Sequence, residues 1–237
     1  MFLPLEYHNF ISSNFNHMIP PSILKFLRLL SENNNRDWFH ENKTLYQKAK
    51  EDFELVTLQM IAIVNEADPK IGPLEPKDCI FRIFRDTRFS KDKTPYKNNF
   101  GAYVNRGGRK SQFAGYYLHI QPDSSFVACG IHMPDPKVLN AVRQEIYHYP
   151  EEFKKILKSS SVKNTFGDIV GDKLKMAPKG FDQSFQDIDL IKMKSFNLIK
   201  YLNDNEILDE KFKFRFSEMI KVMVPFNQFF NQVIADL

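Results

Sequence analysis

The chain has 237 residues, of which 43% are apolar and 26% charged, ordinary values for a globular protein that exclude a disordered one. Its two cysteines, Cys79 and Cys129, are too few for a disulfide framework and lack metal-ligand spacing, so we expect free thiols in a cytoplasmic protein. No run of about 18 apolar residues and no secretory signal is found, so we expect no membrane partner.

The positive charge is concentrated in one part of the chain. The net charge is +4, yet residues 82–110 contain nine Lys/Arg and two Asp, a local net of +7, which leaves −3 for the remainder. A basic focus on a mildly acidic body indicates an anionic ligand or a phosphate backbone. The alternative is that these arginines pair with acidic residues packed against them.

The N-terminal part of the chain has helical patterns. Pro20-Pro21-Ser22 followed by ILKFLRLL predicts an amphipathic helix with Ser22 as its cap. Asn35 can cap a second, longer helix, because apolar residues recur at helical spacing over 36–64. This helix should end near Asp68, since the proline that follows disfavours a helical conformation there.

Four strand-like runs follow, at 79–85, Phe100–Asn105, 113–121 and 126–132. Turn-forming residues at 106–109 and 122–125 join the last three, which predicts an antiparallel meander. In the second hairpin, residues whose numbers sum to 247 should face each other, so His119 should oppose Ala128. Only 86–99 is a long, charged connection, and loops of that length are usually functional or disordered.

The C-terminal part is predicted to be mainly helical, with helices at 136–149 and 150–159 that each open at a proline. Residues 161–190 look irregular, and 194–202 fits a further strand. Apolar residues at helical spacing from Phe212 predict a last helix capped by Asp204 or Asp209, which Pro225 should kink or split.

Together these elements predict an α+β fold in which an antiparallel β-meander packs against several helices. The sequence contains no internal repeat and no low-complexity linker. We therefore expect a single domain over residues 19–237, preceded by an N-terminal arm over residues 1–18.

The run RIFRDTRFSKDKTPYK at 82–97 resembles the signature of a bacterial family catalogued as domain of unknown function 2461. Supporting motifs occur in the expected order: NNNRDWF at 33–39, GYYL at 115–118, MP at 133–134, PKGFD at 178–182 and KMKSF at 192–196. The resemblance covers the chain from about Pro20 to its C-terminus and implies a bacterial protein. It brings no known activity, but it adds weight to 82–97 as the functional segment.

The candidate site is built on this segment. The predicted anion-binding residues are Arg82, Arg85, Arg88, Lys93, Tyr96 and Lys97, with Asp86 and Asp92 organising them. Arginine offers a rigid fork of donors that matches phosphate or carboxylate, and lysine adds a point charge. On an ideal strand Arg85 would face away from Arg82 and Arg88, so convergence requires the strand to end or bend by Asp86. The arginines should also depress the pKa of Asp86, which makes it a poor general base.

Three hypotheses remain open, and none decides whether the protein is an enzyme. The first is a pocket, with or without catalysis, for a phosphorylated or carboxylated small molecule. The second is a nucleic-acid-binding surface that adds residues 106–110, with Tyr103 or Phe100 for stacking. The third is an internal ion-pair network. The histidines lack metal-ligand spacing and no phosphate-binding glycine loop is present, so we predict no metal and no cofactor.

Overall fold

The computed structural model describes residues 17–237. Residues 1–16 of the predicted arm lie outside the described residues, whereas Met18, at its end, is buried in the core. The first helices are α1 (Pro21–Glu32), α2 (Arg36–Glu41), α3 (Lys43–Ala67) and α4 (Pro76–Cys79). Met18, the last residue of the predicted arm, therefore packs with the domain that follows it.

Helix α1 is amphipathic as predicted, but Ser22 is not its cap. The N-cap is Pro20, and no side chain bonds the first turn. The Ser22 hydroxyl instead donates to Asp52 Oδ2 of α3 at 2.5 Å. The prediction was wrong because a second proline at position 21 begins the helix two residues earlier, which turns Ser22 towards the neighbouring helix.

The helix predicted over 36–64 is divided at Asn42. Asn35 caps α2 as expected and accepts from the Trp38 backbone N–H at 2.9 Å. Asn42 then closes α2, because its side-chain amide donates to the Trp38 carbonyl at 2.9 Å, and α3 starts directly after it. Helix α3 ends at Ala67, beside the predicted stop.

The predicted antiparallel meander is confirmed. The strands are β1 (Phe100–Asn105), β2 (Gly115–Ile120), β3 (Ser125–Ile131) and β4 (Phe196–Leu202). They lie in the order β1-β2-β3-β4, and every neighbouring pair is antiparallel. The last of them lies within the run 194–202 that the sequence favoured as a further strand.

The register of the β2–β3 hairpin differs from the predicted one. His119 opposes Phe126, so paired residue numbers sum to 245. The four-residue turn is shifted by one position, from the predicted 122–125 to 121–124, because Ser125 joins β3: its hydroxyl donates to the Gln121 carbonyl at 2.9 Å and accepts from the Gln121 N–H at 3.1 Å. Asp123 takes the left-handed conformation, with φ 60°.

The run 79–85 is not a regular strand. Cys79 ends α4, and residues 80–85, which we call the edge segment, lie antiparallel to 95–102 through isolated bridges of Ile80 with Ala102 and Phe84 with Tyr96. Ile83 is buried and Ile80 packs against the same core, although the two are three positions apart in the sequence. That spacing breaks the alternation of a strand, so pairing is intermittent.

The remaining helices are α5 (Pro136–His148), α6 (Pro150–Lys158), α7 (Ser160–Phe166), α8 (Ile188–Ile191), α9 (Asp204–Leu208) and α10 (Phe212–Ala235). Helix α7 occupies the start of the region predicted to be irregular. Pro225 lies inside α10 without splitting it, at an exposed position where solvent can reach the carbonyl that the ring leaves without a donor. Lys211 is the N-cap of α10, and Asp209 accepts from its N–H at 2.7 Å, whereas Asn203 caps α9.

The core lies between one face of the sheet and the helices. Phe100 of β1 stacks on Phe53 of α3, with ring centroids 5.1 Å apart, and Phe196 of β4 contacts Phe230 of α10 at 5.5 Å. Because strand side chains alternate, the residues between these point away from the core, to a side that we call the open face of the sheet. In residues 17–237, no helix is both long and apolar enough to span a membrane.

Candidate anion-binding site

The signature segment forms an irregular hairpin at the edge of the sheet. The edge segment is held to 95–102 by hydrogen bonds from Phe81 N–H to the Gly101 carbonyl at 2.9 Å and from Lys97 N–H to the Ile83 carbonyl at 2.8 Å. Arg85 N–H donates to the Pro95 carbonyl at 2.9 Å. Beyond this point the chain leaves the sheet, so residues 86–94 form the loop of the hairpin.

Arg85 is turned into this loop. Its guanidinium donates to the carboxylate of Asp92, to the hydroxyl of Thr94 and, at 3.4 Å, to the hydroxyl of Ser90. Asp92 also accepts from the Thr94 N–H at 2.9 Å, and these bonds lower its pKa to about 2. Asp92 therefore pairs with Arg85, and the guanidinium of Arg85 is occupied by loop partners.

Arg88 is paired with Asp86 at the exposed end of the loop. Two guanidinium nitrogens donate to the carboxylate at 3.0 and 2.6 Å, and these bonds hold the pKa of Asp86 below its ordinary value. The Arg88 side chain is 77% exposed. Lys93 donates to the Thr87 carbonyl at 3.0 Å. These groups satisfy one another within the loop.

Tyr96 belongs to the core rather than to the loop. It is 7% exposed, and its ring stacks on Phe39 with centroids 3.9 Å apart and planes 11° from parallel. The side-chain amide of Asn34 accepts from the Tyr96 N–H at 3.1 Å and donates to its carbonyl at 2.9 Å. The two motifs that carry the family resemblance, 33–39 and 82–97, are thus joined by packing and by this amide clamp.

A cleft of about 610 Å³ lies beside this contact, between α2 and the signature segment. Its apolar lining comes from Phe39, Tyr46, Phe84 and Tyr96, and its charged lining from both acidic and basic residues of α2 and its surroundings. Of the eight predicted site residues, only Tyr96 lines it. The cleft and the predicted cations are therefore separate features.

Arg82 and Lys97 differ from Arg85 and Arg88, the two arginines of the segment that are paired with carboxylates. In the described part of the chain, neither has a carboxylate oxygen within the 4.0 Å that defines an ion pair. Lys97 lies over the ring of Phe81, 5.7 Å from its centroid. Burial lowers the pKa of Lys97, and the charge of Arg82 lowers it further. Two cations therefore lie close together at this end of the edge segment.

Beside them, aromatic side chains form a continuous row across the open face. It starts at the edge segment and ends on β4, and we call the following residues the aromatic row: Phe81, Tyr117, His119, Phe126 and Tyr201. Ring centroids of Phe81 and Tyr117 are 6.1 Å apart, and those of Phe126 and Tyr201 are 5.7 Å apart. In the middle, His119 stacks on Phe126 at 4.5 Å with planes 14° from parallel.

The fit of Tyr117 into the row depends on Gly101. A Cβ at position 101 would lie 2.5 Å from the Tyr117 hydroxyl oxygen, so only glycine lets this ring lie across β1. The aromatic row could not be predicted from the sequence, because the predicted register placed His119 opposite Ala128. A turn of four residues, 121–124, would have brought His119 opposite Phe126.

Hydrogen bonds fix the state of His119. Its Nε2 lies 3.1 Å from Gln121 Oε1, which can only accept, so Nε2 carries the proton. Nδ1 accepts from the Tyr117 hydroxyl at 3.0 Å. Burial is the main cause that lowers the pKa of His119, and the charge of Lys97 adds to it. The row is therefore uncharged near neutral pH.

The residues proposed for nucleic-acid stacking are placed differently. Phe100 is buried in the core, and the Tyr103 hydroxyl donates to the Gly130 carbonyl at 3.0 Å. Arg106 lies over the ring of Phe113, and Arg109 donates to the Lys77 carbonyl. Both cysteines are free and buried, and residues 17–237 contain no cluster of three His, Cys, Asp or Glu that could hold a metal ion.

Comparison with known proteins gives one match. The sequence model described as conserved hypothetical protein (DUF2461) matches residues 22–229, which is most of the chain. No curated protein and no solved structure matches. The comparison therefore establishes the family of the chain, and its description assigns no ligand and no reaction.

Proposed function

Because the chain belongs to the DUF2461 family, whose description names no activity, we propose its function from this geometry: it binds a phosphorylated or carboxylated ligand at Arg82 and Lys97. The observation that carries this proposal is that, within residues 17–237, these two neighbouring cations lack acidic partners, whereas Arg85 and Arg88 each have one. A guanidinium fork and an ammonium group are the donors that proteins use for such anions.

The charges favour an anion at this place over the rest of the loop. Asp86 and Asp92 neutralise two of the six cations in 82–97, and Lys93 is held by a backbone carbonyl. Arg82 and Lys97 repel each other, and this repulsion contributes to the lowered pKa of Lys97. A bound anion would offset the repulsion, so the ligand and the charged form of Lys97 should stabilise each other.

Compared with the site predicted from the sequence, the proposed site has fewer residues that contact the ligand, and the others support the loop. Arg82 and Lys97 contact the ligand, while Arg85 with Asp92 and Arg88 with Asp86 hold the loop that connects the two halves of the hairpin. Tyr96 fixes the backbone next to Lys97 through its packing on Phe39. We propose binding as the function, and His119, the nearest histidine of the open face, already uses both ring nitrogens for neighbours.

The proposed compartment is the cytoplasm of a bacterium. Both thiols are free and buried, which suits a reducing environment. The bacterial origin rests on the family resemblance described above.

Thermal unfolding with inorganic phosphate, pyrophosphate and sulfate tests the site. A ligand that binds only the folded state stabilises it by about 2.7 kcal/mol at 100 times its Kd, which corresponds to about 5–10 °C for a chain of this size. We expect Arg82→Gln and Lys97→Gln each to abolish most of this shift. Lys213→Gln, an exposed lysine on α10, is the matched control for net charge.

Arg88→Gln separates this site from the broader one predicted from the sequence. If Arg88 only pairs with Asp86, the variant keeps the anion-induced shift. Loss of the shift in Arg88→Gln and Lys213→Gln alike would mean that the effect follows net charge, and the proposed site would then be wrong. The absence of any shift in the parent protein would equally contradict the proposal.

A further inference from the structure

We propose that the natural ligand is single-stranded nucleic acid, whose bases stack on the aromatic row while its phosphates bind Arg82 and Lys97. This inference rests on the proposed function, because it assigns the anion to a phosphate backbone. The juxtaposition that carries it is a row of five rings that begins beside Lys97 and crosses every strand of the sheet.

The rings of the row do not belong to the hydrophobic core. Tyr201 is 69% exposed and Phe81 is 37% exposed, and the other rings are partly exposed. The core residues of the same strands include their immediate neighbours, Tyr116, Val127 and Leu202, which lie on the opposite face. The row is thus a solvent-facing surface of rings that packing of the core does not explain.

The length of the row suits an oligomer rather than one small molecule. It extends from the edge segment to β4, four strand spacings of about 4.8 Å, or about 19 Å in all. Four-stranded antiparallel sheets with aromatic residues on one face stack two or three bases of a single strand. A mononucleotide would cover one end of the row and leave most of its rings exposed.

The chemistry of the row fits bases in single strands. Every base has a π face, so stacking on aromatic side chains tolerates any sequence. The row has no charge of its own near neutral pH, because burial disfavours the charged form of His119 and its Nδ1 already accepts from the Tyr117 hydroxyl. A duplex hides its base faces, so it cannot use these rings.

The charges around the row are arranged for a polyanion at one end. Arg82 and Lys97 lie beside Phe81, and nothing acidic pairs with them in the described residues. At the other end, close in sequence to Tyr201 and Gln121, the carboxylates of Asp204 and Asp123 are both engaged by Arg28, the latter at 2.9 Å. Arg28 offsets one of these two negative charges, so the cationic end of the row is the end that favours the phosphates of a strand.

Fluorescence anisotropy with a labelled 12-nucleotide single strand of mixed sequence tests the inference. We expect Tyr201→Ala to weaken binding by about 5- to 150-fold, the cost of one lost base–aromatic stack. Phe214→Ala is the matched control, because Phe214 is also 69% exposed but lies on α10. Arg82→Gln should reduce the slope of log K against log salt by about 0.7, one phosphate contact. Equal urea midpoints of the variants confirm that all are folded.

The outcomes distinguish this inference from the proposed function. If pyrophosphate stabilises the protein through Arg82 and Lys97 but the single strand does not bind, or binds equally well to Tyr201→Ala, this inference is wrong and the proposed function stands. If neither anion nor single strand binds, both are wrong. Equal affinity for a duplex, or a dimer in sedimentation equilibrium that Tyr201→Ala converts to a monomer, would also overturn the inference.

Discussion

The clamp between Asn34 and Tyr96 offers a quantitative test of how the family motifs hold the site together. Phe84 and Tyr96 face each other in the irregular hairpin, and the flanking bonds belong to Arg85 and Lys97. The N–H and carbonyl of Tyr96 therefore point away from the edge segment, where the Asn34 amide bonds both of them.

Asn34→Ala removes two hydrogen bonds at once. Each is worth about 1 kcal/mol, so we expect the free energy of unfolding to fall by about 2 kcal/mol. The loss is larger, up to about 3 kcal/mol per group, where a backbone group stays dry without a partner. For a chain of this length, 2 kcal/mol lowers Tm by about 4–8 °C.

Urea unfolding followed by circular dichroism measures this loss. Glu32→Ala is the control, since Glu32 is exposed at the end of α1 and its substitution should change stability by less than about 0.5 kcal/mol. A midpoint for Asn34→Ala equal to that of Glu32→Ala, with an unchanged slope, would refute the claim that this clamp supports the hairpin.

Three further predictions concern titration and reactivity. The pKa of His119 in the folded protein lies below the ordinary 6.5, so the unfolded chain binds more protons than the folded one as the pH falls through 6.5. The free energy of unfolding should therefore fall below pH 6.5, and it should fall less in His119→Gln. NMR titration should place the pKa of Asp92 near 2, so the stabilising effect of the ionised carboxylate is lost as the pH falls from about 4 through 2. Arg85→Ala should raise this pKa towards 3.8 without reaching it, because the hydrogen bond from the Thr94 N–H remains. Burial raises the pKa of Cys79 to about 12, so a thiol reagent should react slowly with the native protein and find two free groups after denaturation without reductant; fewer than two would contradict free thiols.

The sequence predicted the parts of the fold that local chemistry determines. Hydrophobic periodicity located α1, α3 and α10, and short turns located the meander. What it could not determine were features fixed by a single side chain in a tertiary context. Hydrophobic periodicity predicts one continuous helix through Asn42. The structure divides it there, because the side-chain amide of Asn42 donates to the Trp38 carbonyl.

The candidate site shows the same division. Spacing and charge identified 82–97 as the basic segment, and alternation already indicated that Arg85 and Arg82 would diverge. Which cations have acidic partners depends on the path of loop 86–94, which no pattern in the sequence specifies. The aromatic row was hidden by a register error of two residues, since the contact of His119 with Phe126 exists only once Ser125 joins β3.

The most direct test of the central claim is the pKa of the Lys97 ammonium group, measured by ¹³C NMR with and without pyrophosphate and assigned with Lys97→Arg. Burial and Arg82 hold this pKa below its ordinary value of 10.5. If an anion binds between Arg82 and Lys97, it favours the charged form, and the pKa of Lys97 rises when pyrophosphate is added, but far less in Arg82→Gln. A Lys97 pKa that does not move at saturating pyrophosphate would contradict the proposed site.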